Sequence, residues 1–165
     1  MRREGSEVEP ERLRPFWGSV YRRVNATTLM DMAIPLSSDG ASGSAMQVLV
    51  VDDQPEFRQA VRLLLERRGY AVVAEASCAA TALDAVERFA PEAVLLDVRL
   101  GADDGFDVCR KLTRARPGLA VLLTSTTAEY GHCDDLVASS GARGFVSKAR
   151  LLDTDFEQFW PRAGP

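Results

Sequence analysis

Histidine is almost absent from this 165-residue chain: His132 is the only one. A zinc centre built on histidines is unsupported, and a Ser-His-Asp triad would have to use that single residue. Cysteine is sparse as well. Cys78, Cys109 and Cys133 lack metal-ligand spacing, and an odd count with no leader segment reads as a reducing compartment, so the cytoplasm is the expected location. No apolar run is long enough to span a bilayer. Arg2 and Arg3 are not followed by an apolar stretch, Leu29-Met30 is cut by Asp31, and Ile34 meets Pro35, so a secretory signal is not expected either. A polybasic cluster is also missing. With a net charge of -4, direct nucleic-acid binding has no electrostatic basis.

What is present falls into two parts. In residues 1–44, apolar residues are scattered, and Arg2, Arg3, Arg12, Arg14, Arg22 and Arg23 are offset by Glu4, Glu7, Glu9, Glu11, Asp31 and Asp39. Phe16, Trp17, Val20, Tyr21 and Val24 could line one face of a short helix, and Ser37 to Ser44 reads as a flexible linker. The expectation is a disordered extension and linker over 1–44 and one globular domain over 45–162. A hydrophobic content of 46% is enough for its core.

From Met46 onward short apolar runs alternate with amphipathic stretches. Pro55 opens a helix with Phe57, Ala60, Val61, Leu64 and Leu65 at helical spacing, ended by Gly69. A β-rich run covers 70–74, and a second helix runs from near Ser77 to before Pro91. Asp104-Gly105 opens a third, which stops near Pro117-Gly118. A fourth, weaker helix lies around 134–139. A fifth covers roughly 153–160, with Phe156, Phe159 and Trp160 as its apolar face. Strands fall at 48–51, 93–96, 120–123 and 144–147. Five strands alternating with five helices imply right-handed crossovers and an α/β fold: a doubly wound, five-stranded parallel sheet with helices on both faces.

In such sheets, sites form at the carboxyl ends of the strands. Here those ends carry Asp52-Asp53, Asp97, Thr124-Ser125 and Lys148. A carboxylate such as Asp97 can attack phosphorus and form an aspartyl phosphate. Nucleophile and donor are both anionic, so a hard cation with oxygen ligands is needed, and magnesium suits a site of few carboxylates. An ammonium and a hydroxyl would meet the remaining phosphoryl oxygens. Singly, each residue has a blander use. Asp53 before Pro55 suits a helix cap, Lys148 a solvated surface, and Thr124-Ser125 a polar loop. Their joint order at successive strand ends favours a shared site.

The segments VLVVDDQPEFR (48–58), VLLDVRLGADDG (94–105), LLTS (122–125) and GARGFVSK (141–148) resemble response-regulator receiver domains of two-component signalling, most like receivers linked to a helix-turn-helix domain. The resemblance covers about 46–160. It implies a flavodoxin-like fold of strand order 2-1-3-4-5. It implies Asp97 as phosphoacceptor and Mg2+ held by Asp52, Asp53, Asp97 and the backbone carbonyl of Arg99. Lys148 would contact the phosphoryl group, with Thr124 as switch hydroxyl and Phe145 as switch aromatic. The implied partner is a sensor histidine kinase or phosphotransfer protein. The output would be a protein, reached through helix 4, strand 5 and helix 5, with a homodimer on phosphorylation as an option.

The chain departs from the family pattern in places. Gly101 stands where proline is usual, and Ala149 follows Lys148. Altered spacing around Thr124 leaves Ser125 and Thr126 as alternative switch hydroxyls. The expected function is a stand-alone receiver, not an enzyme beyond its own phosphotransfer and slow autodephosphorylation. An aspartate-nucleophile phosphatase and a degenerate, binding-only receiver are the alternatives.

Overall fold

The computed structural model describes residues 45–127 and 134–160. The extension and linker of 1–44, with the short helix its apolar residues could form, and His132 lie outside those residues. The elements are β1 (Gln47–Val51), α1 (Pro55–Arg67), β2 (Ala71–Ala76), α2 (Ala79–Phe89), β3 (Ala93–Asp97), α3 (Gly105–Ala115), β4 (Ala120–Ser125), α4 (Asp134–Ser140) and β5 (Gly144–Ser147). A two-residue-by-two-residue hairpin, Arg99–Leu100 against Asp103–Asp104, sits between β3 and α3. Among the described residues, no helix is long and apolar enough to cross a membrane.

Every strand of the main sheet is parallel, in the order β2-β1-β3-β4-β5. This is the flavodoxin-like arrangement expected. β3 and β4 are buried at every position, because helices cover both faces and water reaches neither. Side chains alternate along each strand. Leu49, Val51, Val94, Leu96, Val121 and Leu123 point to one face, into a core completed by Ala85 and Val86 of α2, Phe106, Cys109 and Leu112 of α3, and Val137 of α4. The intervening residues, Val48, Val50, Leu95 and Leu122, face the other way. α1 carries Phe57, Val61, Leu64 and Leu65 as its buried stripe.

The fifth α-helix is corrected. Lys148–Asp153 and Phe156–Gln158 are short 3-10 turns, not an α-helix over 153–160. Arg68 donates to the carbonyls of Leu152 and Thr154. An α-helix would need those carbonyls for the N–H groups of Phe156 and Gln158. Phe156 and Trp160 are still buried as expected, and Phe159 is half-buried. Phe156 and Trp160 stack at 5.0 Å between ring centres, and Tyr70 meets both edge-on at 6.0 and 5.6 Å.

Candidate functional site

β1 and β3 lie side by side, so their carboxyl ends bring Asp52, Asp53 and Asp97 together. One carboxylate oxygen from each lies within 4.8 Å of the others. Asp52 and Asp97 are buried, whereas Asp53 is exposed. Asp53 does not cap α1. The cap position belongs to Gln54, whose N–H donates to Asp52 Oδ1 at 2.9 Å.

Lys148, at the end of β5, reaches across to this cluster. Its ammonium donates to Asp52 Oδ2 at 2.5 Å and to Asp97 Oδ2 at 2.7 Å. It is 2% exposed, and its Nζ lies 4.1 Å from the centre of the Phe57 ring. A buried ammonium needs such compensation, and two carboxylates plus an aromatic face supply it. Two carboxylates share one lysine, so negative charge is in excess. Burial pushes the Asp52 carboxyl up to about 7. Lys148 opposes that rise and Asp97 adds to it.

Thr124 pairs with Asp97 across the β3–β4 ladder, which puts both side chains on one face of the sheet. Its hydroxyl is buried and has no hydrogen-bond partner among the described residues. Ser125 alternates to the opposite face and accepts from Thr127 N–H at 3.3 Å, while Thr126 is exposed beyond the strand. Phe145 pairs with Leu123, one step from Thr124, and packs half-buried against the α2–α3–α4 side of the sheet.

The Arg99 amide donates to Asp97 Oδ1 at 3.1 Å, at the start of the hairpin. Gly101 turns that hairpin with φ of 62°, and a Cβ there would stand 4.0 Å from Asp53 Oδ2. This left-handed backbone is one that proline, fixed near -65°, cannot adopt. The hairpin closes against β3 so tightly that a Cβ on Gly105 would lie 2.3 Å from the Asp97 carbonyl. Only glycine fits there.

Two contributors were not singled out from the sequence. Phe57 is the floor beneath Lys148, and in sequence it read only as a core residue of α1. Arg58 donates to the Asp52 carbonyl at 2.7 Å and is held by Glu75 at 3.1 Å, so it anchors the end of β1 to β2. Its one visible signal was its place in VLVVDDQPEFR.

Comparison with known proteins gives the family and the fold. The sequence model of the response regulator receiver domain matches residues 48–154. The response regulator GacA of Pseudomonas aeruginosa is 31% identical over 109 residues, 66% of this chain and 50% of that one. The chain spans about half the length of the curated relatives it matches first. Among solved structures, a two-component response regulator of the LuxR family from Aurantimonas is 29% identical with a TM-score of 0.61, covering 67% of this chain and 79% of that one. A Burkholderia pseudomallei response regulator, solved with a phosphorylated aspartic acid, calcium ion and citrate, shares the fold at a TM-score of 0.62 and 24% identity, over 70% of this chain and 67% of that one. The matched segment is more than half of the chain and contains every strand end described above, so the protein belongs to the response regulator receiver domain family.

Proposed function

We propose that Asp97 accepts a phosphoryl group from a phosphohistidine of a sensor kinase or phosphotransfer protein. The Asp97 oxygen–phosphorus bond forms as the nitrogen–phosphorus bond breaks, and the partner's imidazole leaves. The observation that carries this reading is the unpartnered hydroxyl of Thr124, buried on the same face as Asp97 in an otherwise satisfied polar site. A buried hydroxyl left without a partner is a cost to the resting fold, and a phosphoryl oxygen on Asp97 would supply the missing acceptor.

Receiver domains hold a divalent metal in an acidic pocket, and the donor set here fits one. Three hard carboxylate oxygens lie within one coordination sphere's reach. Asp52, Asp53, Asp97 and the Arg99 carbonyl would hold Mg2+, which offsets charge between an anionic nucleophile and an anionic donor. Lys148 already sits on Asp97 and would turn one of its hydrogens to a phosphoryl oxygen.

Receiver domains are switches rather than enzymes, and the output proposed here is a population shift. Thr124 moves toward the phosphoryl group, and the β4–β5 pairing carries that movement to Phe145. The affected face is α4, β5 and the 3-10 turns that stand in place of a fifth helix. Residues 45–162 would act as one receiver and pass the signal to a protein partner. A phosphohistidine donor would be made from ATP, so the cytoplasm is the location proposed for the domain.

Labelling with a small phosphodonor and magnesium, read by intact mass, tests this. The parent should gain one phosphoryl group and Asp97→Asn none. Equal labelling of both would overturn the assignment. Verified labelling with unchanged amide exchange in α4 would mean a binding module rather than a switch.

A further inference from the structure

Two consecutive carboxylates in the β3–α3 hairpin do different jobs. Asp104 Oδ1 accepts from Phe106 N–H at 2.8 Å and caps α3, the helix it precedes. Asp103 Oδ2 accepts from Ala79 N–H at 2.8 Å. Ala79 is the first residue of α2, and 24 residues separate the pair. The cap residue of α2 is Cys78, a weak acceptor whose sulfur meets the Thr81 hydroxyl at 3.3 Å. The carboxylate of Asp103 therefore satisfies an N–H that α2 leaves open, at the end of the helix that favours negative charge. The hairpin is thus tied down on both sides, to α2 by Asp103 and to α3 by Asp104.

This bears on the metal site because the same hairpin carries Arg99. Leu100 pairs with Asp103 and Arg99 with Asp104. The turn between them, at Gly101, stands against Asp53. A two-by-two hairpin turned by glycine has little rigidity of its own. We propose that Asp103 is a positioning residue for the cation: its bond to the N-terminus of α2 holds the hairpin so that Arg99, whose amide is bonded to Asp97, keeps its place beside the Asp52–Asp53–Asp97 cluster. The rigidity that proline would lend to position 101 is supplied here by a cross-element cap. This rests on the metal ligands assigned under Proposed function.

The test is a calorimetric titration of the unphosphorylated protein with magnesium chloride, together with amide exchange at Ala79. Asp103→Ala should weaken magnesium binding about 10-fold, the scale for loss of a group that orients a ligand, and should speed exchange of the Ala79 amide. Asp103→Asn keeps the acceptor oxygen and loses the charge, so it should bind as the parent does. Asp84→Asn removes an exposed carboxylate from the same helix and should also leave affinity unchanged. Parent-like affinity in Asp103→Ala would overturn the proposal. So would a loss in Asp103→Asn or in Asp84→Asn as large as in Asp103→Ala, because charge alone would then explain it. Circular dichroism checks the fold, and if Asp103→Ala unfolds, Ala79→Pro decides: it removes the N–H that Asp103 accepts, at a first helical position that tolerates proline, so it should also weaken magnesium binding, and parent affinity there would overturn the proposal. A parent that binds no magnesium while its Ala79 amide stays protected would sink the metal reading itself, and this role with it.

Discussion

Lys148 donates to Asp97 Oδ2 at 2.7 Å across 51 residues of chain, with less than a twentieth of either residue exposed. The same ammonium also serves Asp52. One buried cation thus holds two strand ends together, and its removal leaves two buried carboxylates facing each other.

Lys148→Met should therefore destabilise the metal-free domain by about 3–5 kcal/mol, the usual effect of breaking a buried pair from one side. The loss should be greater at pH 8 than at pH 5, where a proton can replace the lysine. Magnesium should recover part of it. Denaturant midpoints with and without the metal check this, and a loss below about 1 kcal/mol at pH 8 would refute it.

The raised carboxyl of Asp52 predicts a pH dependence. Its proton is held to about 7 in the folded chain, against 3.8 for the free group. Between those values the native state binds the extra proton. The stability from this group is complete below 3.8 and is lost as the pH rises to about 7. Deprotonation is also what a cation requires, so magnesium affinity should strengthen as the pH rises through about 7. Calorimetry in buffers of different ionisation enthalpy would detect the released proton. An affinity independent of pH from 6 to 8 would contradict the shift.

Thr124→Val should leave the resting domain as stable as the parent or more stable by about 1 kcal/mol, because the hydroxyl it removes is buried without a partner. The same variant should accept a phosphoryl group yet fail to transmit it, seen as unchanged exchange in α4. A loss of more than 1 kcal/mol would show that the hydroxyl is already satisfied.

Trp160 is fully buried against Phe156 and Tyr70. Trp160→Ala should lower stability by about 3–5 kcal/mol, the range for deleting a core aromatic. Chemical unfolding measures it, and a change under 1 kcal/mol would mean that the C-terminal turns contribute little to the fold.

Most of the fold was legible because buried parallel strands are written as continuous apolar runs, and Val48–Val51 and Ala93–Leu96 have no other use. Pro55 and the Asp104-Gly105 pair marked helix starts for local reasons, and both are where the structure starts α1 and α3. The last element was misread because Phe156 and Trp160 are spaced four apart, as in an α-helix. Arg68, 86 residues before Thr154, takes the carbonyls that such a helix would need.

Which chemical groups stand at the strand ends follows from local pattern and chain order alone. Tertiary structure decided how they are used. Register put Thr124 opposite Asp97 and turned Ser125 away, a choice that one residue of slip would reverse. Packing set Lys148 on the Phe57 ring and carried Asp103 to the start of α2. Those contacts join residues far apart in the chain, and only the closed sheet with its helices in place brings them within bonding distance.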